Sequence, residues 1–430
     1  MRLNTISVAL TASLLLDGTL AYPGMAKTLA EIKAKTSRQA TGGVDTGTDD
    51  FDSKELIGDL ITLPDSSLTP VGHSIKNIIT ADEDPQSTDA YNLGTLPLKG
   101  TAKCAADTCC IWQYISNDMQ AVFRGASGRC TGMARAAIRL GFHDAGAWSK
   151  FTGPNGGADG SIILAPGEMN RAENNGLQEI IAQTKMWYNQ YKSYGIGMAD
   201  LIQMGANVAT VTCPLGPRVR SFVGRKDSSI PAPNGLLPDV RADANTLISL
   251  FQNKTIEPHG LTALIGAHST SQQRFVDPSR AGDPQDSTPG VWDVLFYKQI
   301  LNQVTTPPRV FKFQSDQVLV QVPSIRQEAT EFAADQEHWN GDYAREYVRL
   351  SMLGVYNINN LVECTKVLPA RKTVYNAPDQ ALLNTWLAYT THVQQIADQI
   401  RGGGLLTTIA NIVNNLLKLL PISLPFFKFY

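Results

Sequence analysis

Between residues 104 and 369 the chain reads as one helical segment after another, separated by loops rich in glycine and proline, and this texture most constrains the fold. Over 132–142, Met133, Ala136, Ala137 and Leu140 recur close to one face at helical spacing. The same reasoning predicts helices over 176–191, 198–209, 243–252, 261–273, 291–302 and 342–353. Loops such as 153–160 and 230–238 lie between them. Extended alternation is scarce, so the expectation is a mostly α domain of about ten helices joined by long, functional loops.

The flanks differ from this middle. Residues 1–21 have the form of a secretory signal: Arg2, an apolar run over 8–16, and Thr19-Leu20-Ala21 before a cleavage point after Ala21. The run is too short to span a membrane, and no other stretch reaches about 18 uninterrupted apolar residues. The chain is therefore expected to be secreted and extracellular, with no transmembrane segment. Residues 22–103, rich in Asp, Thr, Ser and Gly and with a short amphipathic patch over 25–35, read as a largely irregular extension or pro-segment. Residues 370–430 read as a helical extension: a helix over 379–401, a break at Gly402-Gly403-Gly404, and an apolar helix over 405–420. The second helix is expected to dock on the domain, with a membrane surface or partner as the alternative.

Six cysteines, Cys104, Cys109, Cys110, Cys130, Cys213 and Cys364, imply three disulfides in a secreted chain, with the pairing left open by the residues alone. Their spacing lacks the paired C-x-x-C units of a zinc site. Asn253-Lys254-Thr255 is a sequon for N-glycosylation. A net charge of −2 argues against a general attraction to nucleic acid.

The chemistry gathers at two places. Arg139 and His143 stand four apart on a predicted helix, so their side chains share a face. Phe142 precedes and Asp144 follows His143. Downstream, Gly156-Gly157-Ala158-Asp159-Gly160-Ser161 adds a carboxylate, a hydroxyl and flexible carbonyls. Hard oxygen donors of this kind suit calcium. The second place begins at His268, which closes an apolar run and is followed by Ser269; the stretch 286–293 then offers Asp286, Thr288 and Asp293. A neutral imidazole on an apolar helix suits iron ligation.

These motifs, together with Gly266-Ala267-His268-Ser269, Gln314-Ser315-Asp316 and Leu361-Val362-Glu363-Cys364, occur in an order that resembles the fungal class II secretory haem peroxidases of the plant peroxidase superfamily. The resemblance covers residues 104–369. It implies a two-lobed helical domain with haem b between distal and proximal halves, two calcium ions, and a monomer. His268 would be the proximal iron ligand, with Asp316 accepting a hydrogen bond from its other nitrogen. His143 would be the distal acid–base, held by Asn174 rather than the adjacent Asn175. His143 would take a proton from hydrogen peroxide and return it to the outer oxygen, while Arg139 stabilises the charge growing there. Asp144, Gly157, Asp159 and Ser161 would hold the distal calcium. Ser269, Asp286, Thr288, Val291 and Asp293 would hold the proximal one. Phe142 and Pro233 would contact the haem, with Pro231-Ala232-Pro233 lining the donor channel. Asp200 and Arg225 would form a buried structural ion pair. The implied disulfides are Cys130–Cys213, Cys109–Cys364 and Cys104–Cys110.

The chain departs from the lignin-attacking members. Their manganese ligands would fall at Gly132, Ala136 and Arg274, and their electron-relaying surface tryptophan at Ala263. No carboxylate or indole stands at these positions. The expected activity is peroxide-dependent, one-electron oxidation of small phenolic or aromatic donors at the haem edge. A catalase-like scavenger and a non-catalytic haem- or calcium-binding protein are the alternatives.

Overall fold

The computed structural model describes residues 53–389 and 394–406. The secretory signal, the 25–35 patch and all but the first two residues of the expected 405–420 helix lie outside the described residues.

The distal half is built on two helices, Gly132–Ala145 and Met198–Thr212. Thr131 caps the first, its hydroxyl accepting the Ala134 N–H. Every residue of the second is buried. The two meet closely at Gly141, where an added Cβ would lie 2.2 Å from Tyr347 Oη and 2.7 Å from Ala206 Cβ. Any side chain there would push the helix carrying Arg139 and His143 off its support. Helices Thr108–Phe123 and Gln178–Tyr191 flank this pair, with Phe123 packed edge-on against Trp187.

The proximal half gathers Pro258–Ile265, Leu295–Ile300, Pro323–Ala334 and Gln336–Leu350 around Trp292, Trp339, Tyr297, Tyr343 and Phe332. Pro258 and Pro323 stand at the first helical position, where a missing N–H costs nothing. The sole sheet among the described residues is the two-residue antiparallel pair Phe222–Val223 with Val362–Glu363.

Several boundaries differ from expectation. The predicted helix over 261–273 ends at Ile265 and tightens into a 3-10 turn over Gly266–Thr270. Tyr297 Oη donates to the Thr262 carbonyl at 2.7 Å, and Trp339 Nε1 donates to that of Ala263 at 3.0 Å. These aromatics occupy carbonyls near the helix end, and they crowd Gly266. The predicted helix over 291–302 begins only at Leu295, whose N–H is taken by the Asp293 carboxylate at 2.9 Å. The helix expected over 342–353 starts at Gln336, because Asp335 caps it by accepting from the Glu337 and His338 N–H groups.

The extension is not a loose appendage beyond residue 53. Helix Pro70–Ile79 places Ile75, Ile78 and Ile79 in the main core, alongside Ile57 and Leu60. The buried Arg349 guanidinium donates to the carbonyls of Ser53, Glu55 and Ile79. Composition marked this stretch as irregular because its apolar residues are sparse, but those it has are spent on one face.

The start of the C-terminal extension docks as well. Helices Gln380–Ala388 and Gln394–Arg401 form a second, smaller core with Val310 and Leu406. A buried Arg129–Asp379 ion pair and an Arg309 guanidinium over Trp386 tie it to the domain. All three disulfides have the implied pairing, Cys104–Cys110, Cys109–Cys364 and Cys130–Cys213. The sequon reading does not survive: Asn253 is 5% exposed and its side-chain nitrogen donates to the Ser249 carbonyl at 2.7 Å. A glycan on that nitrogen would have to draw the side chain out of the interior.

Candidate active site

On the distal helix, one turn separates Arg139 from His143, and Arg139 Nε donates to His143 Nε2 at 3.1 Å. The guanidinium is held in place by the carbonyls of Asn175 at 2.7 Å and Glu173 at 3.0 Å. His143 Nδ1 lies 2.9 Å from Asn174 Oδ1, so Asn174, not Asn175, is the amide partner. Asn174 Nδ2 donates to the Glu168 carbonyl at 2.9 Å. That bond orients the amide with its oxygen toward the imidazole, which places the proton on Nδ1 and the lone pair on Nε2. Burial, and then the Arg139 charge, push His143 well below the usual histidine range. The ring is therefore a neutral acceptor at Nε2.

Glu168 has no role assigned by the sequence motifs. It is buried, its backbone holds Asn174, and its carboxylate accepts the Ala232 N–H at 2.7 Å. Arg171 donates to the Ala232 carbonyl at 2.6 Å. The Pro231-Ala232-Pro233 segment is thus tied to the same network as His143. Its single signal in the sequence was a carboxylate six residues before Asn174. Phe142 lies edge-on to His143 and stacks on Phe251.

Around the proximal turn, His268 Nδ1 lies 3.0 Å from Asp316 Oδ2. Phe296 and Phe313 meet the imidazole edge-on. A second unanticipated residue, Arg135, links the halves: it sits on the distal helix and donates to the Thr270 carbonyl at 3.1 Å, two residues past His268. Arg135 Nη2 also reaches the Arg401 carbonyl at 3.3 Å, in the C-terminal extension.

Each histidine adjoins a carboxylate loop. Beside His143, Asp144 Oδ2 accepts the Gly160 N–H at 3.1 Å, and Asp159 accepts that of Ser161 at 2.9 Å. Asp144 Oδ1 and Ser161 Oγ are buried without a hydrogen-bond partner. Burial, then mutual repulsion with Asp159, drives the Asp144 carboxyl far above its ordinary range. Asp159 is raised too, chiefly by burial. Beside His268, Ser269 Oγ donates to the Val291 carbonyl at 3.4 Å, and Asp286 Oδ1 accepts from Thr288. Asp286 Oδ2 is another buried oxygen without a partner. Burial and the neighbouring Asp293 raise Asp286 strongly, and desolvation pushes Asp293 up to about 6. Buried anions this close require a counter-charge.

Asp200 and Arg225 are paired and buried at 3.1 Å. At the positions of departure, Ala263 is fully buried under Trp339, and Gly132 is covered by Arg401, whose Cγ would lie 2.7 Å from an added Cβ. All six tryptophans are buried.

Comparison with known proteins agrees with this architecture. The sequence model of the peroxidase family matches residues 115–335. Ligninase C of Trametes versicolor is 32% identical over 61% of this chain and 75% of the relative. The peroxidase of Arthromyces ramosus is 28% identical over 66% of this chain and 82% of the relative. A manganese peroxidase of Phanerodontia chrysosporium is 27% identical over 63% and 76%. The helical frame, the three disulfides and the family match converge: this chain belongs to the peroxidase family and is a haem-binding oxidoreductase that acts on hydrogen peroxide.

Proposed function

We propose that this peroxidase oxidises small phenolic and other aromatic donors, one electron at a time, at the edge of a haem b. The observation that carries the reading is the unlike partnering of two histidines: an amide and an arginine on His143, a carboxylate on His268.

The residues present fit the haem. His268 Nδ1 is engaged by Asp316, which leaves Nε2 to ligate iron. The imidazole is 34% exposed while Asp316 is 1% exposed, so the ring opens onto space while its partner is sealed. Phe142 and Pro233 would contact the cofactor. When bound, the haem would supply the redox chemistry that draws electrons singly from a donor and delivers them to peroxide. The protein's part is proton handling. His143 Nε2 accepts the proton of an incoming peroxide, because Asn174 keeps the other nitrogen protonated. His143 then returns that proton to the departing oxygen, and the Arg139 guanidinium stabilises its growing charge. Asp316 holds His268 in one tautomer and lends the ligating ring anionic character.

Two calcium ions fit the carboxylate loops, whose orphaned buried oxygens match a hard cation. Asp144, Gly157, Asp159 and Ser161 would hold one. Ser269, Asp286, Thr288, Val291 and Asp293 would hold the other. We read the protein as a secreted monomer. Among the described residues no helix is long and apolar enough to cross a membrane. A pro-segment, if cut, ends before residue 53, since cleavage further on would strip Ile57, Leu60 and the Pro70–Ile79 helix from the core.

The donor class rests on what stands at the specialised positions: Gly132, Ala136 and Arg274 offer no carboxylate, and Ala263 offers no indole. Stopped-flow mixing with peroxide, followed by phenols, manganese(II) and bulky aromatic alcohols, tests the reading. Phenols should be turned over. Saturable oxidation of manganese(II) would overturn the donor assignment, and oxygen release without a donor would favour a catalase-like role.

A further inference from the structure

Outside the peroxide site, four side chains from three helices lie close together. His259 comes from Pro258–Ile265, Glu328 from Pro323–Ala334, and His338 and Asp342 from Gln336–Leu350. His338 and Asp342 are four apart, so both project from one face of their helix. We propose that His259, His338 and Asp342 bind one divalent ion of the zinc type, with Glu328 as the carboxylate that holds His259 beside it.

The spacing is the first argument. His259 Nε2 lies 3.2 Å from Glu328 Oε2 and 3.3 Å from Asp342 Oδ2, and His338 Nε2 lies 3.1 Å from Asp342 Oδ2. One donor atom each from His259, His338 and Asp342 falls within 4.8 Å of the others. A tetrahedral zinc with bonds of about 2.0–2.1 Å sets its ligand atoms roughly 3.3–3.4 Å apart. Ordinary hydrogen bonding would also bring such atoms near one another, but it would leave each buried oxygen satisfied. Asp342 Oδ2 is buried and accepts no hydrogen bond, although two imidazole nitrogens lie within 3.3 Å of it. Neither ring aims an N–H at that oxygen. A buried carboxylate oxygen left unsatisfied beside two imidazole nitrogens suits a shared central ion.

The donor set selects the ion. Calcium and magnesium prefer all-oxygen shells, whereas two imidazoles with a carboxylate suit a borderline-soft, first-row ion such as zinc. Asp342, with Glu328 close by on His259, balances a dication. Arg345 donates to the other oxygen of Asp342 at 3.1 Å, the outer contact that orients a ligating carboxylate. Three of the four side chains are at most 9% exposed, while His338 is 40% exposed and gives the ion an entry path. The ion would pin the start of the helix that leads into the His268 turn, which makes it a structural staple.

The test is calorimetric titration of the haem-loaded, calcium-replete protein with zinc(II), after dialysis against a zinc chelator with calcium in excess. Zinc-edge X-ray absorption then reads the shell. The expected result is one equivalent bound, with two imidazoles in the shell. His338→Ala and Glu328→Gln should each weaken binding by more than about tenfold, whereas His73→Ala, on the surface elsewhere, should not. An unchanged rate of the first peroxide step shows that the His338→Ala protein is folded. No saturable zinc binding in the parent, or binding undiminished in both variants, overturns the proposal.

Discussion

His143 and His268 both lie at or near a helix end, each followed at once by an oxygen-bearing residue of a carboxylate loop, yet their ring partners are opposite in kind. Asn174 is neutral and orientable, and its own bond to the Glu168 carbonyl turns its oxygen toward His143. Asp316 is a buried carboxylate aimed at His268. The amide fixes a tautomer without adding charge, so Nε2 is left as a weak base that can take a proton and give it back. The carboxylate adds charge, which makes a strong and permanent ligand. The same side chain thus becomes a proton shuttle or an anchor according to what holds its other nitrogen.

The largest effect should come from removing the shuttle. His143→Leu is expected to slow the first peroxide step by about 10⁴-fold in stopped-flow absorbance; a wild-type rate would end the distal assignment. Arg139→Leu should cost about 10²–10³-fold in the same measurement, as for one lost charge-stabilising group. On the anchor side, Asp316→Asn should lower turnover about 10–100-fold and raise the iron reduction potential, read by spectroelectrochemistry. If the potential stays put, the carboxylate is not tuning the ligand. Asn174→Ala removes one orienting hydrogen bond and should cost only about tenfold in the peroxide step with the potential unmoved. Equal effects of the Asn174 and Asp316 variants on both readouts would erase the contrast. A calcium-selective chelator should lower the melting temperature by about 5 °C, because Asp144 and Asp286 keep buried oxygens that no protein group satisfies. An unchanged melting curve would count against both calcium loops.

Much of the peroxide site was legible in the chain because it is local. Arg139 and His143 are set by helical spacing, and the carboxylate loops are contiguous. The His268–Asp316 contact spans 48 residues and was reached through resemblance, as were the disulfides. Glu168 and Arg135 were passed over because their work is done by a backbone carbonyl, a buried carboxylate and a cross-domain bond, none of which leaves a pattern in one dimension.

By itself the sequence determined the helical class, the register of Arg139 with His143, and the absence of carboxylates and an indole at Gly132, Ala136, Arg274 and Ala263. These depend on residue type and on spacing within one element. The tertiary structure alone decided that the Glu168 carbonyl turns the Asn174 oxygen toward the ring, that the helix before His268 ends at Ile265 beneath Tyr297 and Trp339, and that Ile57, Leu60 and the Pro70–Ile79 helix belong to the core. It also brought His259, Glu328, His338 and Asp342 together. Each of these depends on which surfaces meet when separate helices pack, and that geometry is set by the whole fold rather than by any one segment.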